Sequence, residues 1–199
     1  MTTPSWDDSY TADAPAPWDI GHPQPAFVRL AEQGLLSGRV LDAGCGTGEH
    51  ALLAAAHGAD DPMGIDLSPT AIELARAKAA ERGISASFQV GDVLNLGQLK
   101  ASFDTIIDSG VFHVFSDEDR PRYVTSVASA IEPAGYLYLM CFSDRMPGDW
   151  GPRRVRQDEL RAAFTDGWHV DSITADAFEI NRVNDTTAAQ AWLAVIRRI

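Results

Sequence analysis

Short apolar runs alternate with stretches of helical periodicity along most of this chain. Runs typical of buried strands lie at 39–43, 63–66, 87–90, 103–108 and 136–142. Segments with apolar residues at helical spacing separate them, at 26–33, 48–57, 69–82, 117–132 and 157–164. Strands that alternate with helices in this way predict βαβ units and a largely parallel sheet.

Capping signals place two of these helices. Ser68 before Pro69 supplies an N-cap followed by proline at the first helical position, and Gly83 follows the last periodic residue. Ser116 precedes three acidic residues, which favour the first turn of a helix, and we expect that helix to end near Glu132.

The final third of the chain predicts two further strands, at 168–173 and 189–196, with 176–185 unassigned between them. Right-handed crossovers then give an α/β, doubly wound, Rossmann-like sheet. Its ligand crevice is expected at the carboxyl ends of the strands. Residues 1–17 are rich in Pro, Asp, Ser and Thr without periodicity and predict a flexible N-terminal arm, so 18–199 is expected to form a single domain.

Composition narrows the possible partners. The 199 residues are 45% hydrophobic and 22% charged, which is ordinary for a globular protein, and the net charge of −12 disfavours nucleic acid. The first basic residue is Arg29, so no secretory signal is expected, and no apolar run approaches the ~20 residues of a membrane span. Cys45 and Cys141 form no CxxC pair, and the histidines show no metal-ligand spacing. We expect a cytoplasmic protein without a metal.

A glycine-rich loop follows the first predicted strand. Gly44, Gly46 and Gly48 give the spacing G-x-G-x-G, where glycine lets the backbone turn sharply and approach a ligand. The dinucleotide fingerprint requires glycine at position 49, but the chain has Glu49 there. A carboxylate facing a pyrophosphate is electrostatically unfavourable, so the sequence predicts a ligand without one.

Acidic residues end several predicted strands. Asp42, Asp66, Asp92 and Asp108 each occupy such a position, so all four are expected to rim one crevice. Asp66 has the position of an acid that accepts hydrogen bonds from ribose hydroxyls. Asp92 is placed to accept an exocyclic adenine amine, with Val93 beside it. Together these acids favour a nucleoside site over a simple turn.

These motifs resemble those of the class I S-adenosylmethionine-dependent methyltransferases, over about residues 17–199. The resemblance implies a seven-stranded, mostly parallel sheet with one antiparallel strand, and S-adenosyl-L-methionine as cofactor. It implies that loop 44–48 approaches the methionine part, Asp66 the ribose and Asp92 the adenine. The residues expected to contact the cofactor are Trp18, Asp42, Gly44, Cys45, Gly46, Asp66, Leu67, Asp92, Val93 and Asp108.

Segments 17–25, 108–115 and 151–155 resemble those of small thiopurine-methyltransferase-like bacterial enzymes, including mycobacterial ones acting on heteroaromatic hydroxyl or N-hydroxyl groups. This resemblance implies a small-molecule acceptor, an aromatic or heteroaromatic hydroxyl, N-hydroxyl or thiol. The oligomeric state is left open.

The acceptor site has several candidate residues. His113 follows the fourth strand and is either a general base or a residue that shapes the pocket wall. Phe112 is a candidate substrate contact or a core residue. Arg153 and Arg154 either hold an anionic acceptor or form a solvated face. Trp18 either closes over the cofactor or packs in the core.

Two alternatives from other classes remain at this point. An NAD-dependent oxidoreductase would keep the Asp66 ribose contact but is disfavoured by Glu49. A non-catalytic protein that binds adenosylmethionine is also possible, because methyl transfer to an acidic acceptor requires no indispensable base.

Overall fold

A computed structural model describes residues 6–12, 14–183 and 185–199. The strands are β1 (Val40–Ala43), β2 (Met63–Asp66), β3 (Ser87–Val90), β4 (Phe103–Ser109), β5 (Ile131–Phe142), β6 (Trp168–Val183) and β7 (Thr186–Arg198). The helices are α1 (Asp8–Thr11), α2 (Pro25–Glu32), α3 (Glu49–Ala56), α4 (Pro69–Arg82), α5 (Arg120–Ala128) and α6 (Gln157–Ala163). Two 3-10 segments, Val93–Leu99 and Phe112–Val114, follow β3 and β4.

All strands join one seven-stranded sheet in the order β3-β2-β1-β4-β5-β7-β6. The first five pair in parallel, while β7 runs antiparallel to both β5 and β6. This confirms the expected Rossmann-like sheet with one antiparallel strand. Because β1 to β5 point the same way, the loops after them meet at one edge of the sheet.

The α4 caps form as the sequence predicts. Ser68 Oγ accepts a hydrogen bond from the Ala71 N–H at 3.0 Å, and Gly83 ends the helix in the left-handed region. Ile72 and Ala75 from this helix are fully buried against Phe88 of β3. Capping and an apolar face therefore agree on where the helix lies.

The predicted helix at 117–132 differs from the structure at both ends. Ser116 Oγ accepts the Asp119 N–H at 3.2 Å in a preceding turn, and α5 begins at Arg120 with Pro121 in its first turn. Proline is favoured there because it has no N–H to donate. The helix ends at Ala128, and Ile131 already pairs with β4, so the strand begins before the apolar run that predicted it.

The unassigned stretch 176–185 belongs largely to the hairpin of β6 and β7. The hairpin fixes the segment before α2: the Gln24 side chain donates to the Glu179 carbonyl at 2.9 Å and accepts the Glu179 N–H at 2.8 Å. Asn181 Nδ2 donates to the carbonyls of Ala16 and Asp19 at 2.7 and 2.8 Å. The hairpin therefore holds residues 16–24 across the edge where the ligand crevice is expected.

Part of the predicted flexible arm lies against α4. The Asp7 carboxylate accepts hydrogen bonds from Ser68 Oγ at 2.5 Å and the Thr70 N–H at 2.9 Å, so it adds negative charge at the helix N-terminus. The flexibility of residues 1–17 and the domain boundary at 18 stay predictions. In the part of the chain that the structure describes, no helix combines the length and apolar character that a bilayer span requires.

Candidate active site

A cavity of about 1050 Å³ opens at the carboxyl ends of the parallel strands. One side is formed by the loops after β1, β2 and β3. The other side is formed by the loops after β4 and β5 and by β6, and residues 17–24 pass over both. We call these the nucleoside side and the acceptor side. The cavity has room for more than one small ligand.

The glycine loop is fixed to the end of β2 by its own backbone. The N–H groups of Gly44 and Cys45 both donate to the Ile65 carbonyl, at 2.9 and 2.8 Å, and Gly46 N–H donates to Asp66 Oδ2 at 2.9 Å. Gly44 has φ +74°, and a Cβ there would overlap the Val111 side chain. These hydrogen bonds fix the loop in place, and Gly44, Cys45 and Gly46 line the cavity.

Asp66 lines the cavity at its expected position. Its Oδ1 accepts the Ser68 N–H at 2.9 Å, which together with the Gly46 contact fixes the orientation of the carboxylate. Burial raises the pKa of this carboxyl, and the hydrogen bonds from Ser68 and Gly46 oppose that rise. Each oxygen keeps lone pairs for a ligand hydroxyl. Leu67, also on the cavity wall, is largely exposed.

Asp92 and Val93 line the far end of the nucleoside side. Asp92 Oδ1 accepts the Leu94 N–H at 2.9 Å, and Oδ2 accepts Asn95 Nδ2 at 2.8 Å. The carboxylate thus caps the 3-10 segment while facing the cavity. Asp66 and Asp92 end neighbouring strands, as a nucleoside site requires.

Asp42 and Asp108 correct the expectation of four acids around one crevice, because both are fully buried behind the cavity wall. Asp42 Oδ2 accepts the Ala51 N–H of α3 at 3.1 Å, and burial raises its pKa to about 8. Asp108 accepts Tyr123 Oη at 2.6 Å and the Val111 N–H at 2.7 Å, and burial raises its pKa to about 6. Asp42 therefore fixes the first turn of α3 and Asp108 fixes the loop after β4, because their oxygens accept backbone N–H groups there.

Glu49 also differs from the expectation. Lys78 donates to its carboxylate at 2.6 Å, and Arg82 contacts both of its oxygens, at 2.8 and 3.0 Å. These cations keep its pKa below the ordinary value although burial acts to raise it. The charge is thus compensated within the protein, and the argument from Glu49 against a pyrophosphate loses its force.

Aromatic residues of the N-terminal region cover the cavity. Trp18 is 44% exposed and lines the cavity. This favours the alternative in which it covers the cavity and disfavours the one in which it packs in the core. Its Nε1 donates to Tyr10 Oη at 3.0 Å, and Trp6 packs edge-on to it with ring centroids 5.8 Å apart. Tyr10 and Trp6 were missed by the sequence reasoning because their segment has no periodicity.

Aromatic rings wall the acceptor side. Phe142 lies at the end of β5, and its ring centroid is 5.8 Å from both Trp150 and Phe178. All three line the cavity. The sequence reasoning missed them because each is an ordinary apolar residue in its own segment, and only the fold brings them together.

His113 lies between these rings, buried, with its centroid 5.0 Å from that of Phe142. Its Nδ1 accepts the Phe142 N–H at 2.9 Å. A neutral imidazole has one acceptor nitrogen, so Nε2 carries the proton. Burial lowers the pKa of His113 to about 3, although a hydrogen bond with the Gly110 backbone raises it. This geometry favours the wall alternative, and the base role stays a prediction.

The other predicted acceptor contacts lie in different environments. Phe112 is fully buried in the core, which corrects its expected contact with substrate. Arg154 donates to the carbonyls of Trp150 and Pro152 at 2.7 and 2.8 Å, so it organises the loop after β5 and is likewise corrected. Arg153 lines the cavity and pairs with Asp117 and Glu159.

Within the described ranges, no group of three or more His, Cys, Asp or Glu is arranged to hold a metal ion. Cys45 and Cys141 are both free and buried. The expectation of a metal-free site stays a prediction.

Known proteins resemble this chain in sequence and structure. A family model described as a methyltransferase domain matches residues 40–135. A 2-heptyl-1-hydroxyquinolin-4(1H)-one methyltransferase of Mycobacteroides abscessus is 41% identical over 178 residues, covering 85% of this chain and 78% of that protein. A probable thiol methyltransferase 2 of Arabidopsis thaliana is 32% identical over 69% of this chain and 61% of its own length.

A solved structure from work on the conversion of a disulfide bond into a thioacetal group during echinomycin biosynthesis superimposes with a TM-score of 0.86. It shares 39% sequence identity and covers 96% of this chain and 90% of that one. The similarity therefore extends over both sides of the cavity.

Proposed function

This chain belongs to the class I S-adenosylmethionine-dependent methyltransferases, and we propose that its acceptor is a small aromatic or heteroaromatic hydroxyl, N-hydroxyl or thiol. The observation that carries the proposal is the aromatic wall of Phe142, Trp150 and Phe178 beside the nucleoside side. Flat rings pack well against such walls. The acceptors named for the two relatives, a hydroxyquinolinone and a thiol, have this chemistry.

The nucleoside side fits S-adenosylmethionine. The fixed Asp66 carboxylate keeps lone pairs for the ribose hydroxyls, and Asp92 with Val93 has the position for the adenine. Gly44 and Gly46 line the cavity beside Asp66, where the rest of the molecule would lie. When bound, the cofactor supplies an electrophilic methyl group.

The protein's main contribution on the acceptor side is orientation. The rings of Phe142, Trp150 and Phe178 hold a flat acceptor, while Trp18 covers the cavity and limits the access of water. Fixing two reactants in reacting geometry is worth roughly 7 to 11 kcal/mol in the best intramolecular systems. Positioning alone therefore accounts for a large part of the expected rate.

The acceptor's proton leaves without His113 in this proposal. The acceptor lone pair of His113 is occupied by the Phe142 N–H, and acidic phenols, N-hydroxyls and thiols ionise near neutral pH in water. Arg153 then has the position to pair with the anionic acceptor. Its partner Asp117 is 78% exposed, so water can solvate Asp117 when the guanidinium turns to the ligand.

A panel of acceptors tests the proposal. Adenosylhomocysteine formation is measured with a 1-hydroxyquinolin-4-one, a thiophenol and a phenol, and with duplex DNA and transfer RNA as comparisons. We expect turnover with at least one of the small aromatics and none with nucleic acid, because residues 17–24 pass over the cavity and the chain is acidic. Transfer to nucleic acid alone would contradict the proposal.

We also propose that residues 18–199 act as one methyltransferase domain in a reducing cytoplasm. The support is the presence of two free cysteines and the continuous sheet that includes β1 to β7.

A further inference from the structure

The cavity lining carries more acidic than basic side chains, and most of the acids already have partners. Lys78 and Arg82 neutralise Glu49, and Asp66 and Asp92 bind backbone N–H groups. Asp19 differs from these, because within the described residues only its Oδ1 has a hydrogen-bond partner, the Thr47 hydroxyl, whereas both oxygens of Asp66 and of Asp92 accept hydrogen bonds from the protein.

Asp19 has a fixed orientation. Its Oδ1 accepts Thr47 Oγ1 at 2.7 Å, and Thr47 Oγ1 in turn accepts Lys78 Nζ at 2.8 Å. The Asp19 backbone carbonyl accepts Asn181 Nδ2 at 2.8 Å. Among the described residues, Thr47 is the side chain that hydrogen-bonds this carboxylate, which leaves Oδ2 available at the cavity.

The strand order places Asp19 relative to the rest of the ligand. Asp92 follows β3 and Asp66 follows β2, while Thr47, which holds Asp19, lies in the loop after β1. A nucleoside held by Asp92 and Asp66 therefore extends its 5′ substituent toward Thr47 and Asp19. The aromatic acceptor side lies beyond, after β4 and β5.

We infer that Asp19 binds the α-ammonium group of the methionine part of S-adenosylmethionine. An ammonium group has three N–H donors, whereas a sulfonium has none, so a hydrogen-bonding carboxylate selects the ammonium. Thr47 and Lys78 act as positioning residues for this carboxylate. The inference rests on the cofactor of the family and is independent of the proposed acceptor.

Calorimetric binding without an acceptor tests the inference. Asp19→Asn keeps an oxygen that can accept from Thr47 but removes the charge. We expect the affinity for adenosylhomocysteine and S-adenosylmethionine to fall by about 10- to 100-fold. The affinity for 5′-methylthioadenosine, which lacks the amino-acid group, is expected to change by less than about twofold.

Two further variants serve as controls. Asp60→Asn removes one exposed acidic charge from the α3–β2 loop, at the opposite edge of the sheet, and should leave all three affinities unchanged. Thr47→Val removes the hydroxyl that orients Asp19 and should weaken adenosylhomocysteine more than methylthioadenosine.

Three results for Asp19→Asn would overturn the inference. Equal losses for all three ligands would mean that Asp19 only supports the loop. A loss confined to S-adenosylmethionine would place the carboxylate at the sulfonium, and unchanged affinities would place it away from the ligand. Since no methyl acceptor is present, none of these results bears on the proposed acceptor class.

Discussion

The two sides of the cavity are built in different ways. The nucleoside side uses polar groups from short contiguous segments, such as Asp66, whose oxygens accept N–H groups of Gly46 and Ser68. The acceptor side uses apolar rings from segments far apart in the chain, with Phe142 packed against both Trp150 and Phe178. One side therefore presents hydrogen-bonding groups to the cavity, and the other presents apolar surface.

This difference explains how one family serves many acceptors. Carboxylates held by backbone N–H groups are sensitive to any change in local geometry, so the nucleoside side suits one fixed ligand. Packed rings depend on volume and tolerate exchange for other apolar side chains of similar size. Variation on the acceptor side can therefore change the substrate without disturbing the cofactor.

The largest expected effect is a loss of cofactor affinity that leaves the acceptor KM nearly unchanged, so it tests whether the two sides act independently. Asp66→Ala removes charge-assisted hydrogen bonds to the ribose and should weaken adenosylhomocysteine binding by roughly 1.5 to 3 kcal/mol. The KM of the acceptor should change little at saturating cofactor. Calorimetry and steady-state kinetics measure these quantities, and an unchanged cofactor affinity would show that Asp66 does not contact the ribose.

Asp66→Asn is the matched variant, because its amide oxygen still accepts one backbone N–H. If the carboxylate acts mainly by holding the loop, the asparagine variant should retain most of the affinity. A loss close to that of the alanine variant would instead assign the effect to the ligand contact.

A smaller effect is expected in the pH dependence of stability, and it distinguishes a residue that lines the cavity from one buried behind it. Asp42 has a pKa of about 8 in the folded protein against 3.8 ordinarily, so the folded state retains a proton that the unfolded chain releases. Its contribution makes stability fall as pH rises toward 8. Burial lowers the pKa values of His50 and His113 from 6.5 to about 4 and about 3. These two residues make stability rise with pH, but only below about pH 6.5.

The window from pH 6.5 to 8 therefore reports mainly on Asp42. Wild-type stability should fall there by at most about 1.4 kcal/mol per pH unit, and Asp42→Asn should flatten this dependence. Its adenosylhomocysteine affinity at pH 7 should stay within about twofold, because the residue does not reach the ligand. Chemical denaturation across this range provides the measurement, and parallel curves for the two proteins would contradict the assignment.

The smallest effect concerns the acceptor side. His113→Ala enlarges the aromatic cavity, and we expect a loss in kcat/KM of about tenfold or less, chiefly in KM. A weakly acidic acceptor and one already ionised at the assay pH should suffer alike. A general base would give a different result, a kcat loss of about 100-fold or more for the weakly acidic acceptor only.

Prediction from the sequence succeeded where the signal was local. The bounds of β2 and β3 agree with their apolar runs, and α4 has the predicted Ser68 cap and ends before Gly83. It failed for α5, because the pairing of Ile131 with β4 depends on a strand distant in the chain. The second half of β6 was not predicted either, because it is defined by its pairing with β7.

The candidate site divides in the same way. Asp66, Asp92 and the glycine loop were predicted because strand-end acids and glycine spacing are visible in single segments. The sequence did not predict whether Asp42 lines the cavity or lies behind it, because the strand-end position is compatible with both.

The sequence by itself determined the order of most elements and the end of the sheet at which the cavity opens, from periodicity, turn chemistry and capping, which act over a few residues. The class of cofactor followed from the resemblance of the glycine loop and the strand-end acids to those of a known family. Only the tertiary structure decided that Glu49 is neutralised by Lys78 and Arg82, that His113 has its lone pair occupied, and which rings form the acceptor wall. The physical reason is that burial and hydrogen-bond partners are supplied by residues remote in the chain, and these set charge, tautomer and shape.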